Sequence, residues 1–129
     1  FLPGSKIKHC SINQTLISDG SILEGSEIIH SVVGIRSIVR NGSSLYRVVM
    51  MGADLFEKGG GDKNGVKIGI GNGCTIRNAI LDKNVRIGNN VIIDYKGKEK
   101  NVDMGSYHIV DGIVIIPKGV TIPDNTKIV

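Results

Sequence analysis

The sequence predicts an all-β chain wound as a parallel β-helix, a hexapeptide-repeat solenoid with two loop insertions. Three observations carry this reading. The 129 residues include 21 Ile and 13 Val but only 6 Leu and 2 Ala; β-branched side chains suit strands, whereas helical bundles lean on Ala and Leu. Eighteen Gly against 3 Pro imply many tight corners. Most informative is the register: written in sixes, much of the chain repeats.

The repeat begins after a lead-in. Residues 1–10, with Leu2-Pro3-Gly4, read as an extended approach from something upstream. The chain opens on Phe1 rather than Met, so it is expected to be a piece of a longer polypeptide or a processed product. Residues 11–129 are assigned to the β-helix. Ile17-Ser18-Asp19-Gly20-Ser21-Ile22 and Leu23-Glu24-Gly25-Ser26-Glu27-Ile28 are two successive units, and Ile29 and Ile35 are read as opening the next two. Ile70-Gly71-Asn72-Gly73-Cys74-Thr75, Ile87-Gly88-Asn89-Asn90-Val91-Ile92, Ile116-Pro117-Lys118-Gly119-Val120-Thr121 and Ile122-Pro123-Asp124-Asn125-Thr126-Lys127 follow. The opening aliphatic is expected to point inward. The Gly, Asn and Asp places turn a corner, where φ > 0 must be tolerated. The fifth place, small or β-branched, packs inward against the next face. Three units make a triangular coil, and coils stack as parallel strands about 4.8 Å apart. Each buried Ile or Val then contributes roughly 1.5–3 kcal/mol. The step from Ile76 to Leu81 is five residues, a shortened corner. A β-sandwich would instead alternate polar and apolar residues between turns spaced about 8–12 apart.

Two segments leave the register: 54–65, glycine-rich and charged, and 94–111, with the polar run Lys96-Gly97-Lys98-Glu99-Lys100-Asn101. Both are expected to be loops thrown out from corners. Parallel stacking leaves open ends, which call for a cap from another domain, another subunit or a terminal segment.

Composition narrows the function classes. No apolar run approaches ~18 residues, so no helix is expected to span a membrane, and no secretory signal opens the chain. Sixteen basic against 12 acidic residues give a net charge of +4, with 4% aromatics and no Trp. Nucleic-acid binding calls for clustered cations interleaved with aromatics, so no nucleic-acid partner is expected; the small excess suits small anions or general solubility. Cys10 and Cys74 lack zinc or disulfide spacing and are read as reduced, buried fillers.

Most motifs have bland explanations. Gly69-Ile70-Gly71-Asn72-Gly73 looks like a dinucleotide loop, but a β unit follows where a helix is needed. Gly59-Gly60-Gly61-Asp62-Lys63 lacks the Gly-Lys-Ser/Thr ending of a phosphate loop. The sequons at Asn13 and Asn41 have no secretory context. Of His9, His30 and His108, only His30 sits in register where hexapeptide acyltransferases place a general base. No metal-ligand spacing is legible.

The lysines say more. Lys83 in Leu81-Asp82-Lys83-Asn84 and Lys118 in Ile116-Pro117-Lys118-Gly119 both hold the third place of a unit and precede a turn residue. They are 35 residues apart; removing the 18-residue excursion at 94–111 leaves 17, close to one coil. Both amines should therefore stand on one edge, a rung apart, inviting a shared anion. A charge-assisted hydrogen bond nets roughly 1.5–3 kcal/mol, and about 4 kcal/mol corresponds to millimolar binding, so a tight site must borrow groups from elsewhere.

Five blocks in order carry a resemblance: His30-Ser31-Val32-Val33-Gly34-Ile35-Arg36-Ser37, Met50-Met51-Gly52-Ala53-Asp54, Ile68-Gly69-Ile70-Gly71, Ile80-Leu81-Asp82-Lys83-Asn84-Val85-Arg86-Ile87-Gly88 and Asp111-Gly112-Ile113-Val114. Together they resemble the C-terminal domain of ADP-glucose pyrophosphorylase (glucose-1-phosphate adenylyltransferase) of the plant and cyanobacterial type. The resemblance implies a left-handed superhelix. It implies a parent enzyme that makes ADP-glucose and pyrophosphate from ATP and glucose 1-phosphate for glycogen or starch synthesis. The ATP-binding and magnesium-binding residues would belong to an N-terminal catalytic domain with no counterpart here, so residues 1–129 alone should be inactive and need no cofactor. Implied partners are that catalytic domain, the other subunits of a homo- or heterotetramer, and phosphate-bearing effectors such as 3-phosphoglycerate or inorganic phosphate. The implied location is bacterial cytoplasm or plastid stroma. The family's two activator lysines fall on Lys83 and Lys118; the two loops are shorter than the family's, and Pro117 and Gly119 flank Lys118. Two other classes remain open at this point: a trimeric hexapeptide acyltransferase, and a purely structural oligomerisation module.

Overall fold

Seventeen short strands and no helix make up the computed structural model, which describes residues 2–129. The strands fall on three faces. The first face holds β1 (Lys6–Lys8), β4 (Ile22–Glu24), β7 (Ile38–Val39), β9 (Gly69–Ile70), β11 (Arg86–Ile87) and β16 (Thr121–Ile122), all parallel and in that spatial order. The second holds β2 (Ser11–Asn13), β5 (Glu27–Ile29), the first half of β8 (Ser44–Met50), the first half of β10 (Thr75–Leu81), β12 (Ile92–Ile93) and β17 (Lys127–Ile128). The third holds β3 (Leu16–Ile17), β6 (Val32–Val33), the second halves of β8 and β10, and β15 (Ile113–Ile116). Visiting the three faces in rotation, the chain completes nearly six coils of a parallel β-helix. Because β1 pairs with β4 over Lys6–Lys8, the winding starts inside the segment read from sequence as a lead-in.

The core is a triangular column. Leu23, Val39, Ile70, Ile87 and Ile122 fill it from the first face, Ile28, Leu45, Ile76, Ile93 and Ile128 from the second, and Val33, Met50, Leu81 and Ile116 from the third. Two residues before several of these aliphatics a smaller inward residue closes the corner: Ser21, Ser26, Ser31, Ser37 and Ser43 in the early coils, Cys74, Ala79 and Val91 later. The buried serines are not left unpaired; Ser43 Oγ, for example, donates to the Gly71 carbonyl at 2.7 Å. Cys74 takes a serine-like place, and burial pushes its thiol pKa up. Cys10 corrects the expectation of a buried filler: it lies between β1 and β2 and is only half-buried.

Coil length corrects the sequence reading as well. The inward steps Leu23 to Ile28 and Ile28 to Val33 are five residues and Val33 to Val39 is six, giving 16, while Ile70, Ile76, Leu81 and Ile87 mark a coil of 17. The inward residue is therefore Val33, and Ile29 and Ile35 face outward, because the unit opened at Leu23 is one residue short. Each five-residue corner turns on a single residue with positive φ: His9, Gln14, Gly25, His30, Arg47 and Asn78. Five residues between the second and third faces is the rule, of which Ile76 to Leu81 was the one visible case.

The two insertions behave differently. The first leaves the edge between the third and first faces after Ala53 and lies outside the first face. Arg86 donates to the Val66 carbonyl and pairs with Glu57, and the Thr121 hydroxyl donates to Asp62 Oδ2 at 3.0 Å. Burial pulls the Asp62 pKa up, but N–H donors from Asn64 and Val66, the Thr121 hydroxyl and Arg86 outweigh it and hold the carboxyl below its ordinary range. The second, expected to be a loop, folds as two antiparallel strands, β13 (Val102–Asp103) and β14 (His108–Val110). β14 pairs with β15 through a tight turn at Asp111-Gly112, both with positive φ. It sits where a sixth strand of the third face would lie, so it covers that open edge. Among the described residues no helix is long and apolar enough to cross a membrane.

Candidate functional site

The edge between the third and first faces gathers the charge. Leu81 and Ile116 pair in register, which puts the following turns, at 82–85 and 117–120, directly above one another; the Gly119 N–H donates to the Lys83 carbonyl at 3.0 Å. Lys83 and Lys118 thus project from successive coils of one edge, both partly exposed. Neither amine is without a partner. Lys83 Nζ lies 3.3 Å from Asp54 Oδ1, and Lys118 Nζ lies 3.8 Å from Asp54 Oδ2.

Asp54 opens the first insertion from the preceding coil of the same edge. Asn84 clamps it twice: the Asp54 N–H donates to Asn84 Oδ1, and Asn84 Nδ2 donates to Asp54 Oδ2, both at 2.9 Å. The Asn84 amide, then Lys83 and Lys118, hold the Asp54 carboxyl below the usual aspartate range. Asp82 is committed locally, accepting the Lys83 N–H at 2.6 Å. On the coil before, Arg36 donates to the Ala53 carbonyl at 3.2 Å and lies over the Phe56 ring at 5.8 Å, fixing the base of the insertion. Asp54 and Asn84 were missed from sequence. The available signal was Gly52-Ala53 ahead of Asp54, a corner of the same edge, but treating 54–65 as a free loop hid where its first residue is anchored.

Other sequence candidates are scattered. His30 forms a corner with φ 49° and meets Tyr46 edge-on, ring centroids 5.9 Å apart. His108 Nδ1 lies 3.3 Å from Asp103 within the added hairpin. Gly73 turns a corner with positive φ, and Gly59-Gly60 stands clear of other groups. Among the described residues no three His, Cys, Asp or Glu side chains gather closely enough to hold a metal ion.

A second feature is apolar. Leu16, Val32, Val49, Ile80 and Ile115 pair in register along the outside of the third face, with Leu16 72% and Val32 40% exposed. Val49, Ile80 and Ile115 are half-buried, so the stripe is most open at Leu16 and Val32, and apolar patches of this kind mark interaction surfaces.

The blocks that carried the resemblance now have places: Met50 to Asp54 and Ile80 to Gly88 build the charged edge, and Asp111 to Val114 is the hairpin turn leading into β15. The model of one family, described as the GLGC left-handed parallel β-helix domain, matches residues 1–127. With its parallel three-faced winding and a match over nearly its whole length, the chain belongs to the GLGC left-handed parallel β-helix domain family, the C-terminal domain of ADP-glucose pyrophosphorylase.

Proposed function

We propose that this chain is the regulatory and assembly domain of a glucose-1-phosphate adenylyltransferase, and that Lys83 and Lys118 hold the phosphoryl group of an effector such as 3-phosphoglycerate or inorganic phosphate. The observation that carries the reading is the stacking of the two ammonium groups around one carboxylate: the edge already holds an anionic group between them. Two partly exposed lysines are salt-screened and bind an anion weakly, so arginines from the catalytic domain complete the site. An effector bound across that junction favours one docking of the two domains and shifts their equilibrium, and with it turnover. Magnesium and the reacting nucleotide belong to the catalytic domain in this reading. The assembly role draws support from the aliphatic stripe on the third face, which would pack against the catalytic domain or a neighbouring subunit.

The test is kinetic. In the full-length subunit, Lys83→Ala and Lys118→Ala should each raise the activator concentration for half-maximal effect about tenfold, the equivalent of ~1.4 kcal/mol, while leaving unactivated turnover near its starting value. Unchanged activator dependence in both variants would refute the site. Phosphate that fails to raise thermal stability, where a bound ligand must, would leave a purely structural module.

A further inference from the structure

We propose that the Asp54 carboxylate is a built-in competitor for the anion site at Lys83 and Lys118, occupying from within the chain the place an effector phosphoryl group takes. The inference rests on the reading of that edge as a phosphate site. Each Asp54 oxygen faces a different lysine, Oδ1 at 3.3 Å and Oδ2 at 3.8 Å, so the carboxylate spans the two amines as two phosphoryl oxygens would. It is attached where it can leave. Asp54 belongs to the first insertion rather than to a coil, and its side chain is 44% exposed. Its backbone is held separately, by the N–H donated to Asn84 Oδ1, so the side chain can rotate away while the turn stays in place. Exposed ion pairs are weak and yield to competing ions.

Charge decides what evicts it. Asp54 is the one carboxylate within 4 Å of either ammonium group among the described residues, so two cations share a single direct counter-charge. A dianionic phosphoryl group neutralises both lysines; a monoanion offers no such gain. The edge therefore favours dianions and rests, without effector, in a self-occupied state. Eviction also removes the Asn84 Nδ2 contact to Asp54 Oδ2, while the base of the insertion stays held by Arg36 at the Ala53 carbonyl and, three residues after Asp54, by Glu57 against Arg86.

Titration of the full-length protein with inorganic phosphate, followed by calorimetry, tests this. Asp54→Asn keeps an oxygen that can accept from Asn84 and removes only the charge; it should bind phosphate roughly three- to tenfold more tightly than the parent. Asp54→Ser, a second neutral replacement, should tighten binding too, and Asp54→Glu should stay within about twofold of the parent. If the neutral variants bind phosphate equally or more weakly while Lys83→Ala still weakens it, the competitor role is overturned and the phosphate site stands. If Lys83→Ala and Lys118→Ala also leave phosphate binding unchanged, the site itself falls.

Discussion

Replacing Ile76 by alanine should lower the unfolding free energy by about 3–4 kcal/mol, read as a shift of the denaturant midpoint at constant slope. Ile76 is fully buried. In register it stacks on Leu45 of one coil and Ile93 of the next, with Ile70 and Leu81 completing its own triangle. Each neighbour is held by ladder hydrogen bonds on both sides, so the cavity cannot collapse and the loss includes its full cost. Ile128→Ala deletes the same atoms where, among the described residues, Ile93 is the one in-register partner. About half the penalty is expected there. Equal losses at both positions would show that stacking along the column contributes little.

The second large effect is at Gly52. Its φ is +98°, and an added Cβ would meet the Ile35 carbonyl oxygen at 2.1 Å. The oxygen belongs to the backbone, so nothing flexible can yield. Gly52→Ala should cost about 2–4 kcal/mol, combining strain at positive φ with displacement of one coil from the next. At Gly119, on the same edge with φ +73°, an added Cβ would meet no heavy atom within 4 Å, so Gly119→Ala carries conformational strain alone, about 1 kcal/mol. Because the Asn84 N–H donates to the Gly52 carbonyl, Gly52→Ala should also disturb the effector response, whereas Gly119→Ala disturbs it less.

Much of the winding was legible because inward positions recur at a nearly fixed interval and each needs an aliphatic side chain. The sequence could not show which corners are five residues and which six. His30, Arg47 and Asn78 adopt positive φ at short corners, and neither His nor Arg announces that conformation as Gly does. The register slipped at Ile29 because the corner at Gly25 is also short, and again at Ile35 because His30 turns a second short corner. The juxtaposition of Lys83 and Lys118 was nonetheless readable, because it depends on one coil length and one insertion length. Their partner was not. Asp54 reaches them from a segment outside the repeat, and contacts made by an insertion follow no period. The hairpin of 94–111 escaped notice for a related reason: its strands are only two and three residues long, and β13 forms by pairing with β14, which in turn pairs with β15.

The most direct measurement is a crystal structure of the full-length protein with arsenate, a phosphate analogue located by its anomalous scattering. A single peak should appear at the edge between the third and first faces, placed so that arsenate oxygens lie within about 3 Å of both Lys83 Nζ and Lys118 Nζ, with the Asp54 side chain turned away. An anomalous peak elsewhere, with Asp54 still bridging the two lysines at an arsenate concentration that saturates the activity response, would contradict it.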